Sequence, residues 1–339
     1  VELAAAMTMD AADVTVSILN YNGRDLLEGL LPTVAAQTAQ GFRVNVVDNG
    51  STDDSVAWLT REWPRVTVIR IPENIGVTRA LNRAVQSAET VYVALLNNDL
   101  ELEPRWLEQM RGALESDPRC GSADCKLLNF HRRDEIDGAG DLIARTGECC
   151  KRGFGEQDRG QFDRPGVILC ASGGAALYRR AAFDRVGFFD EDFGAYFEDA
   201  DWGLRAALCG YACRFVPTAI AFHMGSATTS RDRCAYAHLF SRNSLLMLMK
   251  CVPAASLLRL GPLMLAFQLK WLVASAVRGG CGAHLRGWAQ ALALAPATLR
   301  KRREVQRRRT ISTARLHELM TPVDWRLLPR VARDDVPGR

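Results

Sequence analysis

The sequence predicts an α/β fold: a mixed, mainly parallel sheet flanked by helices, followed by a helical tail. Three observations carry that prediction. Four runs rich in β-branched residues, "VTVSILNY", "RVNVVD", "VTVIR" and "VYVALL", alternate with stretches whose apolar residues recur every three or four positions, the sequence form of parallel strands joined by helices. Asp and Asn cluster where those strands end. Past His223 the chain turns to long apolar runs mixed with arginine. With 339 residues, 48% of them apolar, the chain can bury one large core or two smaller ones.

Taken in order, residues 1–13 carry Glu2 and Asp10 but no basic segment followed by a long apolar one, so they read as a disordered leader rather than a secretory signal. The first strand begins at Val14. Leu26, Leu27, Leu30, Leu31 and Val34 then give one apolar helical face, on a helix starting near Asp25. In "NGSTDDSVAWLTREWP", Ser51 and Thr52 are cap candidates for a short second helix whose first turn carries Asp53 and Asp54. "ENIGVTRALNRAVQSA" makes a third helix, and Pro104 suits the first turn of a fourth. From Leu127 to Pro165 the pattern dissolves into expected hairpins and a mobile excursion. Regular structure returns at "VILCASGGAALYRR" and a short helix over Arg180 to Val186. The spacing places an α/β domain over 14–230, with its boundary in "MGSATTSRDR", a helical apolar and basic tail over 231–315, and an extension over 316–339.

The net charge of +4 is unevenly spread, because Arg278 to Arg315 holds ten Lys/Arg against Glu304 alone. The ten cysteines show neither CxxC pairs nor even spacing, which suits reduced core thiols in a cytosolic protein better than a disulfide framework or zinc site. No GxGxxG follows a strand and no GxxxxGK[ST] occurs, disfavouring dinucleotide cofactors and P-loop chemistry.

Open α/β sheets bind ligands beyond the carboxyl ends of their strands. The first strand runs into Asn20, Tyr21 and Asn22, the second into Asp48, Asn49 and Gly50, the fourth into Asn97, Asn98 and Asp99. Asp48 is placed to accept from a ribose hydroxyl or base N–H, or else merely shapes an Asx turn. Asp99 suits Mg²⁺ or Mn²⁺ bridging to a diphosphate, or else closes a turn. His223 ends another β-branched run and is either a second ligand or structural. "YFEDADW" sets Glu198, Asp199 and Asp201 in one helical first turn, where the macrodipole favours acids. Asp199 projects about 100° away from the face shared by the other two, so the three have different jobs. Walls of Tyr196, Phe197 and Trp202 would raise a carboxylate's basicity.

"SILNYNG", "VVDNGSTDDS", "ENIGVTRALNRA", "LLNNDLEL", "GGAALYRRAAFDRVGFFDEDFGAYFEDADWGLRAALCGY" and "FHMGS" together resemble glycosyltransferase family two over about Val14 to Arg233. The resemblance implies a Rossmann-like GT-A fold, a nucleotide-sugar donor, a divalent metal and inversion at the anomeric carbon. It implies that Asp48 binds the nucleoside within a donor site that includes Asn20, Tyr21, Asn22, Asn49, Gly76, Asn97 and Asn98. Asp99 and His223 would hold metal, with Asn97 replacing the first aspartate of a DxD-like motif. Asp199 would be the base, supported by Glu198, and Gly173, Gly174 and Trp202 would line the pocket. A nucleotidyltransferase of similar fold would carry a Gly-rich basic loop after its first strand, where this chain has "NYNGRDLLEGL". A silent nucleotide-binding scaffold is the other alternative.

The most apolar run, Leu263 to Val277, spans only about 22 Å as a helix, short of the ~30 Å hydrocarbon core. The expectation is therefore helices lying on an anionic membrane surface, with Trp271 and Trp288 at headgroup depth and "RKRREVQRRR" drawn to lipid. A packed or homo-oligomeric helix face is the plain alternative, and no nucleic-acid-reading motif accompanies the basic run. With this tail the chain resembles bacterial rhamnosyltransferases of cell-wall and O-antigen assembly. That resemblance implies a dTDP- or UDP-sugar donor (dTDP-rhamnose first), a lipid-linked glycan acceptor, and a cytoplasmic, peripheral location on the inner face of the plasma membrane.

Overall fold

The computed structural model describes residues 9–225 and 233–322. Most of the expected leader, the domain boundary at 226–232 and the extension beyond 322 lie outside the described residues. The end of the leader is ordered, since Met9–Asp10 pairs in parallel with Ala39–Gln40.

In chain order the elements are β1 (Val14–Asn20), α1 (Arg24–Ala35), β2 (Arg43–Asn49), α2 (Ser55–Glu62), β3 (Thr67–Ile71), α3 (Val77–Ser87), β4 (Tyr92–Asn97), β5 (Leu100–Leu102), α4 (Trp106–Glu115) and β6 (Cys120–Asn129). There follow β7 (Ile136–Gly138), β8 (Asp141–Ile143), β9 (Cys149–Lys151), β10 (Gly166–Ile168), β11 (Ala175–Arg179), α5 (Arg180–Val186), a 3-10 turn at Glu191–Phe193, α6 (Glu198–Leu208) and β12 (Ala212–His223). The tail is α7 (Arg233–Cys251), α8 (Ala254–Val277), α9 (Cys281–Arg307) and α10 (Thr313–Leu319).

The ten-stranded sheet runs β10-β12-β6-β11-β4-β1-β2-β3, with β5 on β12 and β7 on β6. The half β4-β1-β2-β3 is parallel. Its inner strands β1 and β4 are buried almost throughout because helices cover both faces, and α1 buries Leu27, Leu30, Leu31 and Val34 as their spacing predicts. The other half is entered by antiparallel β11, which lies between β4 and β6. Strand β6 has all but its last residue buried, and nothing in its composition, which mixes Cys, Asp and Lys, announces a strand. The excursion after it is ordered, as β7 on β6 and a β8–β9 hairpin.

Two local expectations are corrected. Ser51 and Thr52 do not cap α2. Asp53 Oδ1 accepts from the Ser55 N–H at 3.1 Å, while Ser51 Oγ receives the Asn22 backbone N–H at 2.9 Å. Trp202 does not line a pocket. It is 1% exposed and packs in the core edge-on against Tyr178, with rings 5.1 Å apart, and its indole N–H donates to Gly187 O. An indole there buries more apolar area than a pocket wall would allow.

The tail does not hang free. Helices α7 and α9 supply Leu246, Met247, Cys251 and Ala291 to one buried cluster with Phe193, Phe197, Ala200 and Leu204 around α6. No disulfide forms among the described residues. Helix α8 starts at Ala254 and runs through Gly261 and Pro262 without a break. Its 24 residues extend about 36 Å at 1.5 Å each, longer than the apolar run alone suggests.

Candidate active site

Parallel pairing brings the first group of residues together. Register sets Asn20 against Asp48 and Leu19 against Asn97, so the ends of β1, β2 and β4 form one row. Asn20 Nδ2 donates to Asp48 Oδ2 at 3.2 Å, and the Ser51 N–H donates to Asp48 Oδ1 at 3.2 Å. Asn98 Nδ2 donates to Asn20 Oδ1 at 2.9 Å. Asp48, 2% exposed, is held in place by both bonds, and the one from Ser51, three residues on, shapes the turn as an Asx contact does. Asn22 has a left-handed φ of 49° and accepts the Thr52 N–H at 2.7 Å, which makes it a loop brace. Tyr21 is exposed. Asn49 accepts the Ile75 N–H and reaches Asn74, and Asn74 in turn accepts the Gly76 N–H at 2.9 Å.

An antiparallel contact makes the second group. β12 pairs with β5 so that His223 stands opposite Leu100, which sets the imidazole beside Asp99. His223 Nε2 lies 3.4 Å from Asp99 Oδ2, and His223 Nδ1 lies 3.0 Å from Asp137 Oδ2. Lys151 Nζ closes the row at 2.8 Å from Asp137. Burial works against a charged His223, but hydrogen bonds to Asp137 and Asp99 win and lift its pKa to about 9. Burial likewise opposes charge on Asp137, yet Lys151 and His223 hold its carboxyl well below the usual range.

This pair fits a divalent ion. Two ligands about 2.1 Å from an octahedral centre stand about 3 Å apart, close to the observed 3.4 Å. Without metal, His223 carries a proton on Nε2 as well as on Nδ1; a metal would displace that proton, and the carboxylate on Nδ1 would then orient the freed lone pair. A site with only two protein groups suits an ion that also binds diphosphate and water.

The third group surrounds the start of α6. Asp199 Oδ2 accepts the Gly173 N–H at 3.0 Å and Oδ1 accepts the Ala200 N–H at 2.7 Å. A Cβ on Gly173 would lie 3.2 Å from Asp199 Oδ2, so the absent side chain permits that approach. Gly174 O accepts the Asn97 N–H at 2.8 Å, tying this loop to the end of β4. Burial raises the Asp199 pKa, only partly offset by the N–H groups of Ala200 and Gly173 and by Lys151. Glu198 is raised too, first by burial and then by the Asp199 charge. Asp201 has another job: it is wholly buried and bonded to Arg205 at 2.8 Å and Lys250 at 2.8 Å.

Lys151 pairs with Asp137 and its charge also lowers the Asp199 pKa, while Gly173 and Gly174 join Asp199 to the end of β4 at Asn97. Neither Asp137 nor Lys151 emerges from the sequence reading. The only signal for them was "EIDGAGD" and "CCKR" inside the stretch expected to be mobile. Asp141, raised by burial and by Asp199, and Asp124, raised by burial and by Asp141, complete a buried acidic floor.

Such an acidic interior makes stability pH-dependent. Burial raises Glu148 from 4.5 to about 7, so its contribution is fully present below pH 4.5 and is lost as pH rises through 7. Asp137 and Asp190 are depressed below 3.8, and their contribution is lost as pH falls below that value. Thermal melts from pH 3 to 9 should therefore fall away on both sides of a mildly acidic maximum. Glu148→Gln should make the alkaline limb shallower, the rest of it falling to Glu198, Asp141 and His223, which are raised as well; a limb of unchanged slope would remove Glu148 as a contributor.

The family model described as glycosyl transferase family 2 matches residues 15–187, and that of glycosyl transferase family group 2 matches 154–277. The N-acetylglucosaminyl-diphospho-decaprenol L-rhamnosyltransferase of Mycobacterium tuberculosis is 26% identical over 244 residues, 65% of this chain and 79% of that protein. An N-acetylglucosaminyltransferase of Bradyrhizobium diazoefficiens is 28% identical over 231 residues, 64% of this chain and 45% of that one. Among solved structures, the mannosyltransferase PcManGT from Pyrobaculum calidifontis with GDP-Man and Mn²⁺ superposes with a TM-score of 0.52 at 22% identity, covering 86% of this chain and 84% of that one. GalNAc-T7 with UDP, GalNAc and Mn²⁺ gives 0.57 at 15% identity, covering 70% and 47%. With its strand-end amides and acids set in a GT-A sheet and the family model spanning half its length, the chain belongs to glycosyl transferase family 2 and is a glycosyltransferase.

Proposed function

We propose that the protein transfers a sugar, L-rhamnose first, from a dTDP- or UDP-linked donor to a hydroxyl of a lipid-linked glycan, with inversion. The observation that carries this reading is the Gly173 and Gly174 loop, whose Gly173 N–H holds Asp199 at 3.0 Å while Gly174 O accepts the Asn97 N–H at 2.8 Å, two residues before the Asp99 that stands beside His223. Asp48, held by Asn20 and Ser51, accepts hydrogen bonds from the nucleoside. Asp99 and His223 would hold Mg²⁺ or Mn²⁺, which would neutralise charge developing on the departing diphosphate. Asp199 accepts the acceptor's hydroxyl proton as that oxygen bonds to the anomeric carbon and the bond to diphosphate breaks on the opposite face. Burial raises its basicity, and the two backbone N–H groups fix its direction. Glu198, whose charged form is disfavoured by burial and then by the Asp199 charge, keeps a second charge from competing. The name of the mycobacterial relative supports rhamnose and a polyprenyl-diphosphate acceptor.

A lipid-linked acceptor also suits the tail. Helix α8 exposes Leu258, Leu265, Leu269, Val273 and Val277 along one side, with Arg259 and Lys270 among them and no acid. Its other side is tied down: Gln268 donates to Ser244 at 3.2 Å and Ser256 contacts His317 at 2.8 Å. Spanning a bilayer would break those contacts, so α8 lies along the cytoplasmic surface of the membrane with its apolar side in the headgroup layer.

Thermal melts against a panel of nucleotide sugars test the donor. A bound ligand at a hundred times its dissociation constant adds about 2.7 kcal/mol, so dTDP-rhamnose with Mn²⁺ should raise the melting temperature. Equal indifference to every nucleotide sugar, with or without metal, would reject the reading.

A further inference from the structure

We propose that Arg242 and Asn243 of α7 are positioning residues for the catalytic base, so that the tail is part of the catalytic machinery. The proposal rests on the reading of Asp199 as base. The segment that delivers Asp199 has unusual geometry. Tyr196 and Phe197, neither of them glycine, hold consecutive left-handed conformations with φ of 65° and 70°. L-residues with large side chains rarely adopt this region, and such a conformation persists only where the surroundings over-determine it. Phe197 also occupies the N-cap of α6 with no side-chain capping bond, so the helix start is not held from within.

What holds it comes from α7. Asn243, with no exposed surface, places its amide nitrogen 3.0 Å from Phe193 O, 2.8 Å from Ala195 O and 2.7 Å from Tyr196 O. One side chain thus gathers three carbonyls of the loop entering α6. Arg242 Nη2 donates to Phe193 O at 2.6 Å, and its Nε donates to Asn243 Oδ1 at 2.8 Å, which orients the amide. The two left-handed side chains rest on the same helix: Tyr196 packs edge-on against Tyr236 with rings 5.1 Å apart, and Phe197 against Phe240 at 4.7 Å. Asp199 lies two residues past Phe197, within the first turn whose direction this clamp sets. The clamp makes its bonds within α7 and this loop, whereas the donor row stands at the ends of β1, β2 and β4; Gly194 O of the loop accepts the Thr78 N–H of α3 at 3.1 Å.

That separation supplies the test. Asn243→Ala removes the amide that gathers the carbonyls, and a displacement of about 1 Å at a catalytic group costs on the order of 100-fold in rate. The full chain carrying Asn243→Ala should lose about 100-fold in kcat, with donor KM and the affinity for the nucleoside diphosphate within about threefold of the parent. Arg242→Lys keeps a cation for Phe193 O but loses the bond that orients Asn243, and it should lose about tenfold in kcat with the same unchanged donor affinity. Wild-type kcat in Arg242→Lys, or a loss of donor affinity in step with kcat in either variant, overturns the proposal. Asp199→Asn measured alongside separates the two claims. Retained turnover there removes the base itself, whereas lost turnover there with retained turnover in Asn243→Ala and Arg242→Lys removes only the clamp.

Discussion

Asp199→Asn should lower the rate of sugar transfer by about 10²–10⁴-fold, the range a general base supplies, while the nucleotide sugar binds within a few fold of the parent. The substitution preserves shape and an oxygen able to accept the Gly173 or Ala200 N–H, but an amide cannot take up the acceptor's proton. It also removes the charge that helps raise Glu198, so the fold should be at least as stable as before. Steady-state kinetics with a soluble acceptor analogue, beside calorimetric titration of the nucleoside diphosphate, separate the two effects. Retained turnover would reject Asp199 as base, and binding lost together with turnover would place it in the donor site instead.

The largest effect on stability is expected at Lys250. Its ammonium is 2% exposed and bridges Asp190 and Asp201 at 2.5 and 2.8 Å, lying 4.7 Å from the centre of the Phe193 ring. Removing one partner of a buried ion pair costs about 3–5 kcal/mol because the charge left behind lacks water, and the lower end applies here, since Asp201 keeps Arg205 and Asp190 keeps Lys301. Lys250→Met should therefore destabilise by about that amount in denaturant unfolding. Lys301, which reaches Asp190 and Asp192 from α9 but is 40% exposed, should cost under about 1 kcal/mol when replaced by Met. Equal losses at the two positions would mean that burial of the bridge is not what matters.

Both predictions concern acids in the stretch from Asp190 to Asp201, yet the sequence treats them differently. Helix periodicity turns Asp199 away from Glu198 and Asp201, but it is the resemblance to glycosyltransferase family two that marks it as the expected base. The division of the remaining acids between capping, support and ion pairing could not be read in advance, since their partners Lys250 and Lys301 lie 60 and 111 residues from Asp190. Trp202 was misplaced for the same reason. An aromatic residue beside an acid reads as a pocket wall until Tyr178, Phe183 and Phe189 are seen closing around it.

Local chemistry alone determined the alternation of strands and helices, the row of amides and acids at the strand ends, and the start of α6 at Glu198, because periodicity and chain direction are properties of neighbouring residues. Tertiary structure decided the partnership of Asp99 with His223, the placement of Asp137 and Lys151 behind them, and the grip of α7 on the loop before the base. Those contacts join strands and helices distant in sequence, and such pairings follow from how the apolar faces pack, which no short window of residues encodes.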